Sequence, residues 1–129
     1  MLTRAPVMTM LPVKDIERAR DFYVNKLGLE AEGLAADGKF VLRAHGTKFW
    51  LVPKPEGTKA EHTTVGFEVE DIAAEIKALK SRGVAFEDYD FPGFKTVDHM
   101  IVIGTDKAAW FKDTEGNILC LHQDVRKRA

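Results

Sequence analysis

The spacing of apolar residues changes twice along the chain, in the same way each time. Val7, Leu11 and Val13 fall on one face of an extended segment, with Thr9 as a polar exception, and Val65, Phe67 and Val69 repeat the pattern. Alternation of period two predicts a strand with one face on a core. The period then lengthens to that of a helix, with Ile16, Ala19, Tyr23 and Leu27 in the first case and Ile72, Ile76 and Leu79 in the second. Asp15 and Asp71 stand where a short carboxylate accepts the free N–H groups of a first helical turn. Gly28 and Gly83 stand where a helix ends in the left-handed conformation.

The two stretches are copies of one another. Val13-Lys14-Asp15-Ile16 returns as Val69-Glu70-Asp71-Ile72, 56 residues on (13 to 69), and with one deletion Leu29-Glu30-Ala31-Glu32 aligns with Val84-Ala85-Phe86-Glu87. Three strands are predicted after each helix, at about 29–36, 39–45 and 48–53, and at about 84–89, 107–112 and 117–122. Asp37-Gly38 is a strong hairpin signal and His45-Gly46 a weaker one. Residues 90–106 form an extra excursion with a strand at about 99–103, and the stretch from Pro53 to Glu61, with two prolines and a glycine, reads as a linker. The fold class is therefore α+β in a single domain. Two βαβββ modules, about 6–53 and 62–123, flank a linker at about 54–61. Each helix covers one face of its sheet. Bringing the other two faces together would form a mixed sheet around a cup, the default place for a ligand.

This ordered set resembles the vicinal-oxygen-chelate superfamily of glyoxalases, bleomycin-resistance proteins and extradiol dioxygenases. Val13-x-Asp15-Ile16, Phe22-Tyr23 and Leu27-Gly28 are similar to its first-helix signature. Ala109-Trp110-Phe111-Lys112-Asp113-Thr114-Glu115-Gly116-Asn117-Ile118-Leu119 is similar to its late hairpin, with Thr114 in place of a proline. Gly116 suits a positive φ, and Asn117 can bond its own backbone. The match runs from about Val7 to Gln123. The resemblance implies a divalent metal held by two histidines and two carboxylates, or a subset of them, on the first and last strands of each module. Those positions fall on Met8, Trp50, Thr64 and Cys120. A thioether, an indole, a hydroxyl and one thiol are a poor donor set for such an ion, so no metal or other cofactor is expected. The alternative is a shifted site of Glu68, Cys120 and His122, with His62 or His99 nearby, serving a divalent-metal lyase, isomerase or dioxygenase.

Without a metal, the cup face offers Met8, Met10 and Trp50, with Phe40 and Leu42, or alternatively Val41, on the neighbouring strand. Thr64, Glu68, Cys120 and His122 are its polar groups. Thioethers and an indole favour an apolar or aromatic small molecule. The competing structural reading is that Met8, Met10 and Trp50 fill a closed core. Phe94, beside Pro92-Gly93, either closes over the cup or packs on a partner subunit. Cys120 reads as a buried, inert thiol rather than a nucleophile served by His122.

Composition narrows the class. The chain has 129 residues with net charge -1, which suits one soluble domain. The basic tail Arg126-Lys127-Arg128 reads as a solvated end, and no basic face offers itself to nucleic acid. No apolar run spans a membrane, and the first ten residues read as no signal peptide. A single cysteine excludes an intramolecular disulfide and suggests a reducing, cytoplasmic setting. Open sheet edges favour a homodimer, which the resemblance also implies.

Overall fold

The structure is a computed structural model and describes residues 1–124; the basic tail lies outside them. The chain divides into two compact units. The first comprises Met1–Lys59 together with Asp113–Asn117, and the second Ala60–Lys112 with Ile118–Asp124 of the described residues.

In the first unit, β1 (Thr9–Val13) leads into α1 (Ile16–Asp21) and then to β2 (Glu30–Leu34), β3 (Phe40–Ala44) and β4 (Thr47–Pro53). The sheet order is β1-β4-β3-β2, with β1 and β4 parallel. Asp15 caps α1, its carboxylate accepting the Arg18 N–H at 3.1 Å. The helix then widens into a π-turn over Phe22–Lys26, where the Leu27 N–H donates to the Phe22 carbonyl at 3.0 Å. Phe22 and Tyr23 at its start are both buried, their rings edge-on with centroids 5.4 Å apart. Val7 does not join this core: β1 begins at Thr9, and Val7 is 79% exposed. His45 and Gly46 both take positive φ, as a two-residue hairpin requires.

The second unit repeats the plan. It runs β5 (Thr63–Glu68), α2 (Ile72–Ser81), β6 (Phe86–Glu87), β7 (Asp90–Phe91), β8 (Phe94–Lys95), β9 (Ile101–Ile103), β10 (Asp106–Lys112) and β11 (Ile118–Asp124). The sheet order β5-β11-β10-β6 has the form of the first unit's, and β9 pairs with β10 beyond β6. Asp71 caps α2 through the Ala74 N–H at 3.1 Å, and the buried Gln123 side chain accepts the Ile72 N–H at 2.8 Å. The strand expected at 84–89 is shorter, Phe86–Glu87, and the excursion folds into the β7–β8 hairpin. His99, expected at the end of a strand, instead forms a tight turn with Asp98, both at positive φ (68° and 53°) between Val97 and Met100.

The late hairpin is the densest polar structure of the first unit. Asp113 Oδ1 accepts the Glu115 and Asn117 N–H groups, each at 2.8 Å. Its Oδ2 accepts the Tyr23 hydroxyl at 2.6 Å and the Asn117 amide at 2.8 Å. Asn117 does not bond its own backbone; its amide also donates to the Pro12 carbonyl at 3.0 Å. Glu115 Oε1 accepts the N–H groups of Lys14 and Asp15 just ahead of α1, and both oxygens meet the Arg18 guanidinium.

Candidate functional site

Alternation divides each sheet into a helix-covered face and an opposite face. In the second unit, Leu119, Leu121 and Gln123 of β11 and Ala109 and Phe111 of β10 are buried on the helix side. Cys120 and His122 therefore share the other face with Ala108 and Trp110, their partners across the antiparallel pair. On the far side of β11, Gly66 lies beside Cys120 and Glu68 beside His122. The face thus has an aromatic end and a charged end, with small residues between.

The aromatic end is a cluster of rings. Trp110 meets Tyr89 edge-on, with centroids 5.8 Å apart, and Phe94 at the same separation; Tyr89 and Phe94 are 5.9 Å apart. Phe94, on the β7–β8 hairpin, thus rests on the sheet through Trp110, whose Nε1 donates to Thr63 at 3.0 Å. The floor is low because Gly66 and Ala108 carry little side chain. A Cβ built at Gly66 would stand 3.2 Å from Cys120 Sγ. Burial, helped by the Glu68 charge, raises the Cys120 pKa and keeps it a thiol.

At the charged end His122 stands between two carboxylates. Its Nδ1 is 2.6 Å from Glu68 Oε1, and its Nε2 is 3.5 Å from Asp106 Oδ1. The hydrogen bond to Glu68, with the Asp106 charge, outweighs desolvation and raises the His122 pKa above its ordinary value. Replacing Glu68 by Gln is expected to lower the His122 titration midpoint, followed through its imidazole C–H resonances. An unchanged midpoint would remove Glu68 as the cause.

In the first unit, Met10, Trp50 and Val41 lie side by side across β1, β4 and β3 on the face away from α1. Phe40 and Leu42, considered alongside Val41 for this face, are in the helix-side core with Leu51 and Phe49. Met8 precedes β1 and is 55% exposed. Trp50 Nε1 is buried without a hydrogen-bond partner among the described residues.

The residues at the superfamily's ligand positions do not fit a divalent metal. Met8 and Trp50 present a thioether and an indole, Thr64 donates its hydroxyl to the Ile118 carbonyl at 3.0 Å, and Cys120 is held protonated. In the shifted set, Glu68 and His122 are engaged with one another. Among the described residues no group of three or more His, Cys, Asp or Glu is arranged to hold a metal ion.

The topology and hairpin are matched by a family model. The model of the Glyoxalase/Bleomycin resistance protein/Dioxygenase superfamily covers residues 5–121. The chain belongs to that superfamily. Among solved structures of the glyoxalase fold, it is similar to TnmS3, an antibiotic binding protein from Streptomyces sp. CB03234. The identity is 25% and the TM-score 0.74, over 96% of this chain and 98% of that one. A glyoxalase/bleomycin resistance protein from the same organism is 26% identical with a TM-score of 0.68, over 92% and 100% of the two chains. A lactoylglutathione lyase from Agrobacterium tumefaciens shares the fold at 17% identity and a TM-score of 0.68, over 95% and 96%. No curated protein gives a significant match. No helix among the described residues is long and apolar enough to cross a membrane.

Sequence reasoning singled out Glu68, Cys120, His122 and Phe94 but passed over Trp110, Tyr89 and Asp106 as site residues. Trp110 was legible in principle, since it alternates with the core residues Ala109 and Phe111. The pairing that sets it beside Cys120 was not.

Proposed function

We propose that this glyoxalase-superfamily chain is a metal-independent binding protein for small apolar or aromatic compounds, which it sequesters rather than transforms. The observation that carries this reading is the face of the second sheet, where the Trp110, Phe94 and Tyr89 rings stand over a floor of Gly66, Ala108 and Cys120. A planar compound would stack on Trp110 and be oriented by Glu68, His122 and Thr64. The likeness to an antibiotic binding protein at 25% identity supports the same class of ligand. The metal-poor chemistry of Met8, Trp50, Thr64 and Cys120 supports independence from an ion. The exposed edge strand β2 and the single thiol accord with a homodimer working in a reducing compartment.

The two tryptophans make intrinsic fluorescence a direct reporter. Planar polyaromatic antibiotics are expected to quench it, equally before and after dialysis against a chelator. Trp110→Ala should weaken binding at least about tenfold, roughly 1.4 kcal/mol. Gly66→Leu, which raises the floor under the rings, should abolish binding while leaving the circular dichroism spectrum unchanged. Stoichiometric metal in the purified protein, or chelator-sensitive binding, would overturn the reading.

A further inference from the structure

We infer that the second unit holds, between the β7–β8 hairpin and β9, a separate binding groove for an apolar monoanion, a carboxylate on a hydrocarbon tail. Phe94, Val97, Met100, Ile101, Val102 and Ile103 line an open groove of about 700 Å³ between the β7–β8 hairpin and β9. That is room for a small ligand. Val97, Val102 and Ile103 are 65%, 64% and 58% exposed, a concentration of apolar surface in one short stretch that solvent does not favour.

Two features say what would occupy it. Lys95 and Lys107 both line the groove, and among the described residues neither has an ion-pair partner. Asp98 is the acidic residue of the lining, so the net charge there is positive. An apolar tail with one negative head complements that pattern, whereas a cation would meet two ammonium groups.

The groove is also built to keep its shape. The tight turn on its wall carries two consecutive non-glycine residues, Asp98 and His99, in the left-handed region. Such strain persists only where the surroundings over-determine it, and it concentrates at functional positions. Here His99 Nδ1 meets Asp88 at 2.8 Å, and its Nε2 meets Lys80 Nζ at 2.9 Å. The opposite wall is anchored by Phe94 on Trp110 and by the Thr96 N–H donating to the Tyr89 carbonyl at 2.9 Å.

The test uses the full chain and three probes with one tail: sodium decanoate, decanol and decyltrimethylammonium. Decanoate is expected to shift the methyl resonances of Val97, Val102 and Ile103, binding about fivefold tighter than decanol, roughly 1 kcal/mol. The ammonium probe should bind weakest. The double variant Lys95→Gln, Lys107→Gln should erase the preference for decanoate and leave decanol affinity unchanged, a control for correct folding. Val102→Asp should weaken decanoate and decanol, decanoate the more. Equal binding of anion and cation would overturn the inference, as would decanoate shifts confined to residues around Cys120. So would a dimer that Val102→Asp converts to monomer, because the face would then belong to a second copy. Neither tryptophan lines the groove, so quenching by polyaromatic compounds and decanoate shifts at Val97, Val102 and Ile103 are separate readouts and either proposal can fail alone.

Discussion

Asp113→Ala is expected to cost the folded chain about 3–5 kcal/mol, the scale of removing one partner from a buried, charged hydrogen-bond network. The carboxylate is 7% exposed and accepts four hydrogen bonds, from Tyr23, Asn117 Nδ2 and the N–H groups of Glu115 and Asn117. Alanine leaves the Tyr23 hydroxyl and the Glu115 and Asn117 N–H groups unsatisfied in a place water reaches poorly, and leaves the Asn117 amide only its bond to Pro12. Burial and the neighbouring Asp113 charge push the Tyr23 phenol pKa far above its ordinary value, so Tyr23 remains a donor at every working pH. Tyr23→Phe, which removes one donor and keeps the ring, should cost only about 1 kcal/mol. Urea unfolding of both variants measures the difference. A loss under about 1 kcal/mol for Asp113→Ala would mean that the hairpin is held by its turn geometry instead.

The second large effect is acid sensitivity from Glu115. Its side chain is fully buried, and desolvation alone would raise its pKa. Hydrogen bonds from Arg18, Thr114 and the N–H groups of Asp15 and Lys14 win, lowering it from 4.5 to about 2. The ionised form is therefore favoured by folding. The stability it contributes is complete above about pH 4.5 and is lost as pH falls from there toward 2. Over that window the loss is roughly 2–3 kcal/mol, and Glu115→Gln should forfeit a similar amount at pH 7. Unfolding free energies measured from pH 7 to 2 should converge for the two proteins at the acid end. A constant gap would show that shape rather than charge is at stake.

Both residues sit in the one motif whose role sequence reading saw only in part. Gly116 at a φ of 89° was legible, because glycine takes a positive φ without strain. That the same loop belongs to the first unit, where Glu115 meets the backbone ahead of α1 and Asp113 meets Tyr23, was not, because those partners lie 100 and 90 residues away. The candidate site divides in the same manner. Thr64, Glu68, Cys120 and His122 could be assigned to one face by counting alternate residues. Trp110 could not be set beside Cys120, nor Val41 rather than Phe40 beside Trp50, until the strands were paired.

The amino-acid sequence alone determined the repeat, the strand–helix–three-strand order of the first unit, the strand–helix opening of the second, the aspartate caps and the glycine stops. All are consequences of short-range periodicity and backbone sterics. The tertiary structure alone decided the sheet order, the π-turn over Phe22–Lys26, the ring cluster on Trp110 and the His122 bridge between Glu68 and Asp106. Period two fixes which residues of a strand share a face. It says nothing of which strand lies alongside or in what register, and that choice sets which side chains meet.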